Sequence, residues 1–452
     1  MSGSTVFVSP VSSPLTGSVR PPGAKSDSVR AVLAATLSTG KSLITNPGNG
    51  ANVHAMVRAC RQLGATVDDA DPASWTVRGP QRGLTEETEL SAGNSGIVLR
   101  LLAAVGASTR RCEITTPFAD SLGSRQNTEL LESLPELGAF CAARDNQGRL
   151  PVVVGRNQGL HGGLVKVSGA RSSQFLSGLL FLAPLIGEDV EIRVVDQLSA
   201  TSMVRTTLQT LARAGIQCDA DPDLRGFRIA GGQRYRPGTF SVSADASSVA
   251  GACATAAAVP GSQVLIDGLW GNDNGTSAML DALTQLGAGI EVAEGSARVT
   301  GAEQLRAIDF DGSACPDSIL AVAALACFAE GTSTFYNIET MRYKECDRIS
   351  DFRRELLAAG ADVEERQDAL IVHGRPAIAG GVTVGGCHDH AVVMALAVLA
   401  MRSRAGLRID GWKAVFQTYP SFFRDLATLG VDVDSDARGL DTFPLSAEAN
   451  VR

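Results

Sequence analysis

Arg61-Gln62-Leu63-Gly64-Ala65-Thr66-Val67 reads as a helix end, a glycine and the start of a strand, and the phrase returns five more times. The later copies are Pro135-Glu-Leu-Gly138-Ala-Phe, Arg213-Ala-Gly215-Ile, Gln285-Leu-Gly287-Ala-Gly-Ile, Ala358-Ala-Gly360-Ala-Asp-Val and Thr428-Leu-Gly430-Val-Asp-Val. Their glycines fall at intervals of 70 to 77 residues, the spacing of a repeated supersecondary unit. Each suits a helix C-cap, where φ is positive and a side chain would clash. A second phrase alternates with the first, also six times: a polar helix-start signal followed by an apolar run. It begins at Lys25-Ser26-Asp27-Ser28, Gly93-Asn94-Ser95-Gly96, Arg171-Ser172-Ser173-Gln174, Asp245-Ala-Ser247-Ser248, Pro316-Asp317-Ser318 and His388-Asp389-His390. Ser, Asn and Asp cap helix N-termini. The segments behind them, such as 29–37, 97–105 and 319–328, are apolar nearly all round, and a helix without a polar face is buried on every side.

Each unit is therefore of βαβαββ type, with one buried and one amphipathic helix. Six such units, three to a half, predict an α/β chain built as a two-domain inside-out α/β barrel, helices within and strands without. If the six buried helices aim their N-termini at the space between the halves, unpaired N–H groups and partial positive charges converge there and make an anion site. The plainer alternative is the same packing with no ligand.

Composition agrees with a folded, multidomain chain. The 452 residues exceed one ordinary core, and 44% hydrophobic against 19% charged is globular. Aromatic residues make up 5% and glycines number 48, so close packing on small side chains is expected. A net charge of -8 without a long basic run argues against nucleic acid or an anionic membrane as partner, though not against a small anionic substrate. No apolar stretch is long enough for a membrane span, and Met1-Ser-Gly-Ser-Thr-Val-Phe7 has no leader pattern. The nine scattered cysteines form no metal-ligand spacing and read as reduced thiols, so a cytoplasmic location is expected. With no dinucleotide fingerprint either, neither metal nor bound cofactor is expected.

Several phrases carry chemistry. Two cations, Lys25 and Arg30, stand at a helix start where they oppose the dipole, which makes sense beside an anion; an exposed loop is the alternative. Taken in order, Gly-Ala-Lys25-Ser26-x-Ser28-x-Arg30, Gly93-Asn94-Ser95-Gly96-x-x-x-Arg100, Ser172-Ser173-Gln174-Phe-Leu-Ser177, Pro316-Asp317 and Lys344-Glu345-Cys-Asp347-Arg348 resemble the EPSP synthase family of the enolpyruvyltransferase superfamily, over nearly the whole chain. The resemblance implies that Lys25, Ser26 and Arg30 hold a hydroxylated ring substrate and that Ser172, Ser173 and Gln174 hold its phosphate and hydroxyls. It also places Asn94, Gly96, Arg125, Lys344, Arg348 and His390 among the substrate-binding residues. Asp317 matches the carboxylate at the reacting hydroxyl, Glu345 the proton-transfer acid, and Lys25 joins them as catalytic. Without the resemblance, Ser172-Ser173-Gln174 reads as a helix cap and Lys344–Arg348 as a solvated helix face.

The chain also departs from the family. Where the family has Arg after Asp-His and a Lys before Thr-Phe-Pro, both on the carboxylate of phosphoenolpyruvate, this sequence has Ala391 and Gln417. Ile97 replaces a Thr and Gln126 a Pro. Charge-assisted hydrogen bonds contribute roughly 1.5–3 kcal/mol each. Two missing cations thus weaken that half-site by roughly two to four powers of ten. The pattern favours a diverged transferase similar to the pseudoglycosyltransferases of aminocyclitol metabolism, joining a phosphate- or nucleotide-activated cyclitol to an acceptor such as an amino sugar. The second reading is an authentic carboxyvinyltransferase using phosphoenolpyruvate and shikimate 3-phosphate, or another hydroxyl acceptor. The third is a silent binding protein, against which Lys25, Asp317 and Glu345 speak. The loop Pro117-Phe-Ala-Asp-Ser-Leu-Gly-Ser-Arg125 lacks the Cys of the relative that acts on an N-acetylglucosamine nucleotide. The partners are small anionic substrates in every reading. The domain division expected is 23–243 for one half and 1–22 with 244–452 for the other.

Overall fold

A computed structural model describes residues 5–269 and 275–434; the opening four residues, part of the leader reading, lie outside them. Strands collect into six separate sheets, five of four strands and one of three. The repeat is plain in each sheet: a parallel pair followed by antiparallel partners. In the first, Thr239–Ser241 runs parallel to Lys41–Thr45, which pairs antiparallel with Ser74–Arg78, and Thr66–Asp68 completes the edge. Among the described residues the sheets stay separate and do not close into a barrel.

All six repeat glycines have positive φ: 102° at Gly64, 86° at Gly138, 79° at Gly215, 112° at Gly287, 98° at Gly360 and 107° at Gly430. An L-residue there would sit in the left-handed region. The second unit alone breaks the pattern before its glycine. Its outer helix, Thr128–Ser133, gives way to a 3-10 turn at Leu134–Leu137, because Pro135 has no N–H to continue the ladder.

The inner helices are Lys25–Leu37, Gly96–Gly106, Gln174–Ile186, Ala246–Ala258, Ile319–Ala326 and His390–Arg402. Every residue of Gly96–Gly106 and Ile319–Ala326 is buried, as segments apolar nearly all round require, with Arg100 the one charged residue among them. Packing is close where side chains are small: a Cβ on Gly178 would come within 2.9 Å of the Arg100 carbonyl on the neighbouring helix. Two hydrophobic cores result. One gathers residues between Ala24 and Val242, the other those between Val6 and Val19 and between Ala244 and Val433. The opening strands Thr5–Val8 and Thr16–Val19 accordingly pair with Leu407–Asp410 and Gln263–Asp267. The chain crosses between the halves twice, and the crossings meet in a bridge between Gly23 and Ala244.

Capping differs in part from the sequence expectation. Ser95, Asp245 and Asp389 do accept backbone N–H groups at their helix starts. The first helix instead starts with Ala24 as N-cap, so Lys25 lies inside its first turn and not ahead of it. Ser173 and Ser318 occupy N-cap positions without a side-chain cap bond. No helix among the described residues is long and apolar enough to cross a membrane.

Candidate active site

The candidate residues form two groups, one on each half, joined by a single ion pair. On the second half, Arg348 is the hub. It is 1% exposed and reaches three carboxylates: Nε and Nη2 meet Asp389 at 2.7 and 3.1 Å, Nη1 meets Asp317 at 2.8 Å, and Nη2 meets Glu345 at 3.1 Å. Lys344 adds a second cation 3.0 Å from Asp317. The 344–348 segment lies between a 3-10 turn and the helix Ser350–Ala359, so it is not a solvated helix face. From the other half, Lys25 Nζ stands 3.3 Å from Glu345 Oε1, each side chain 22% exposed.

These contacts set the charge states. Burial pushes Glu345 up, but Lys25, Arg348, His390 and Lys344 outweigh it and hold the carboxyl well below its usual range. Burial likewise opposes ionisation of Asp317, and Lys344 with Arg348 overcomes it, so Asp317 is also driven down. Burial disfavours the Arg348 charge, yet Asp389, Glu345 and Asp317 lift its pKa well above the ordinary guanidinium value. Both carboxylates are thus ionised at neutral pH. Glu345 is in its base form in this arrangement, and must gain a proton before it serves as the acid that the resemblance implies.

On the first half, three groups converge on the place where Gly96 lacks a side chain. A Cβ there would lie 3.3 Å from Arg100 Nη1, Arg125 Nη1 and Gln174 Oε1 alike. Ser172 joins them, 3.2 Å from Arg100 Nη1. Ser173 lies at the start of the same helix and is buried. Among the buried side-chain polar atoms that lack a hydrogen-bond partner in the described residues, two, Asn94 Oδ1 and His390 Nδ1, belong to candidate residues. His390 Nδ1 lies 3.9 Å from Asp389 Oδ1, too far for a hydrogen bond. Buried polar atoms without partners need an explanation, and for these two the resemblance implies one, a bound substrate.

Other candidates are engaged elsewhere. Arg30, 0% exposed, donates to Thr207 at 2.8 Å, to the Ser26 and Met203 carbonyls at 3.0 and 3.2 Å, and to Ser177 at 3.4 Å. The Ser26 hydroxyl serves the Asp27 carboxylate. Ala391 is buried in the first turn of its helix, and Gln417 donates its amide to the His388 carbonyl at 3.0 Å. The Gln417 backbone carbonyl also faces Gly50 of the other half so closely that a Cβ on Gly50 would stand 2.1 Å from it.

Two further residues, Asp389 and Arg100, belong to these networks. Asp389 reads as a helix cap, which it is, accepting from Ala391 N at 2.8 Å, but it also takes two bonds from Arg348. Arg100 carries a visible signal: it is the lone charge within an apolar helix.

Comparisons with known proteins identify the family. A model of the EPSP synthase (3-phosphoshikimate 1-carboxyvinyltransferase) family matches residues 10–426. A 3-phosphoshikimate 1-carboxyvinyltransferase of Burkholderia pseudomallei is 40% identical over 424 residues, covering 93% of this chain and 94% of that protein. One from Deinococcus radiodurans is 38% identical over 421 residues, covering 92% and 94%. In fold, the solved EPSP synthase of Acinetobacter baumannii superposes with a TM-score of 0.80 at 23% identity, over 95% of this chain and all of that one. The chain is a member of the EPSP synthase family of transferases.

Proposed function

We propose that the chain transfers the carboxyvinyl group of phosphoenolpyruvate to the 5-hydroxyl of shikimate 3-phosphate, releasing inorganic phosphate. The curated relatives carry the carboxyvinyltransferase name, which favours this over the cyclitol coupling that the departures at Ala391 and Gln417 first suggested. The observation that carries it is the Lys25–Glu345 pair between the halves, with Asp317 beside it on Arg348. Adding a hydroxyl across a vinyl bond needs a base for the hydroxyl proton and an acid for the methylene carbon. Eliminating phosphate then returns one proton. Asp317 suits the first task and Glu345 the second. Incoming phosphate and carboxylate groups compete for Lys25, Lys344 and Arg348, which weakens the pull on Glu345 and lets it take up a proton.

Binding in this reading is shared between the halves. Ser172, Ser173, Gln174 and Lys344 take the phosphorylated ring, and Arg125 with the Gly96 helix end takes the three-carbon substrate. The halves, 23–243 and the remainder, act as two domains hinged at the paired crossings near Gly23 and Ala244. The test is a phosphate-release assay with both substrates. Release that needs both compounds supports the reading. Tight capture of shikimate 3-phosphate without any consumption of phosphoenolpyruvate would return the weight to a different second substrate.

A further inference from the structure

We infer that Arg100 is a positioning residue that fixes Ser172 and Gln174 as hydrogen-bond donors toward the cleft. The argument starts from valence. A guanidinium offers donors only, so every polar atom facing it must accept. Arg100 is 7% exposed and lies one turn into the Gly96–Gly106 helix, its guanidinium carbon 4.6 Å from the centre of the Phe175 ring. Its Nη1 is 2.7 Å from Gln174 Oε1. That bond decides which end of the amide is turned inward, and leaves both Nε2 protons for something else. Ser172 is constrained in the same way. Its Oγ accepts from Arg100 Nη1 at 3.2 Å and from the Gln174 backbone N–H at 3.3 Å, so both lone pairs are taken and only its proton remains. A hydroxyl and an amide, each able to donate or accept, thus become donors alone. That is the polarity a phosphate oxygen requires.

The guanidinium is itself held. Arg100 Nε donates to Asn127 Oδ1 at 3.2 Å, and Asn127 Nδ2 donates to the carbonyls of Arg125 and Gly148, each at 3.0 Å. The same network therefore fixes the backbone that presents Arg125. No carboxylate lies within ion-pair distance of Arg100 among the described residues; Glu129, whose charge acts on it, is paired with Arg171 at 3.2 Å. Burial and the Arg125 charge accordingly pull its pKa down to about 9. A buried cation that binds only neutral groups is held there for their orientation, and its charge still favours an anion beside them.

The inference rests on the reading that Ser172 and Gln174 meet a phosphorylated substrate, and its test separates the two claims. Neutron diffraction of the deuterated protein without ligand shows the amide directly. Deuterons on the Gln174 nitrogen turned away from Arg100 support the inference; an amide oxygen turned to the cleft overturns it. Titration with shikimate 3-phosphate supplies the second arm. Arg100→Met and Gln174→Leu should each weaken binding about ten- to hundredfold, the range for outer-shell supports of a ligand site. The double variant should lose clearly less than the product of the two single losses, because part of the Arg100 effect runs through Gln174. Arg100→Lys keeps the charge but loses the fork and should recover little. Losses that multiply in the double variant, or full recovery with Lys, overturn the inference. A wild-type protein that ignores shikimate 3-phosphate sinks the functional reading and leaves the neutron result to decide the polarity by itself.

Discussion

Lys25 Nζ lies 3.3 Å from Glu345 Oε1, and the two residues come from opposite halves of the chain. Each half has its own hydrophobic core, so this pair joins two separately packed bodies. Glu345 therefore takes part of its charge environment from the other half.

Glu345→Gln removes the proton donor while freeing Lys25 and Arg348 for anions. Turnover should fall by about two to four powers of ten, the usual worth of a positioned acid or base. Ligand affinity, followed by calorimetry, should stay level or rise. A matched loss of affinity would mean that Glu345 is a binding group.

Substrate binding at pH 7 should take up protons. Lys25 and Arg348 hold the Glu345 carboxyl low, and anionic ligands that draw on those cations let it rise. Calorimetric titrations in two buffers of different ionisation enthalpy measure the uptake. Proton release would contradict the account.

Stability should follow the same groups in acid. Glu345 and Asp317 have folded-state pKa values below their unfolded ones, about 4.3 and 3.9. Their contribution is therefore complete above pH of about 4.5 and lost as pH falls through the depressed values. Urea midpoints measured from pH 6 downward should decline less steeply in Glu345→Gln than in the wild type.

Gly50→Ala should hold the halves apart. Its Cβ would stand 2.1 Å from the Gln417 carbonyl and 3.0 Å from the Thr418 nitrogen, both backbone atoms that cannot swing aside. Gly50 itself has φ of −75°, so the alanine backbone is unstrained and the effect comes from the contact alone. Small-angle scattering with both substrates should show less compaction than in the wild type, with lower turnover. Normal compaction would place the closing contact elsewhere.

Asp389→Asn tests the hub. Asp389 is 0% exposed and accepts two hydrogen bonds from Arg348, while Asp317 and Glu345 accept one each. Breaking a buried pair costs about 3–5 kcal/mol. Urea denaturation should show a loss of that order; a loss below about 1 kcal/mol would mean that Glu345 and Asp317 hold Arg348 unaided.

The repeat was readable because its signals are local. A glycine at positive φ and a helix with no polar face leave marks within a few residues, so six units could be counted from the chain alone. Pro135 is visible in the phrase Pro135-Glu-Leu-Gly138, but only the fold shows that the helix gives way to a 3-10 turn there. The site was readable as a set of residues and much less as a geometry. That Arg348 is enclosed by three carboxylates, or that Arg30 is fully bonded among hydroxyls and carbonyls, depends on contacts between residues far apart in sequence. Asp389 served two roles at once, and its capping role masked the other. Arg100 stood out as a lone charge in an apolar helix, a pattern that spacing shows but whose partners only the fold supplies.

The chemistry itself is tested most directly by following phosphorus and vinyl proton resonances after shikimate 3-phosphate and phosphoenolpyruvate are mixed with the protein. The account predicts that the phosphoenolpyruvate signals fade as inorganic phosphate and a new vinyl ether appear in equal amounts. Unchanged phosphoenolpyruvate beside bound shikimate 3-phosphate would contradict it, and would mean that Ala391 and Gln417 mark a site that has taken another partner.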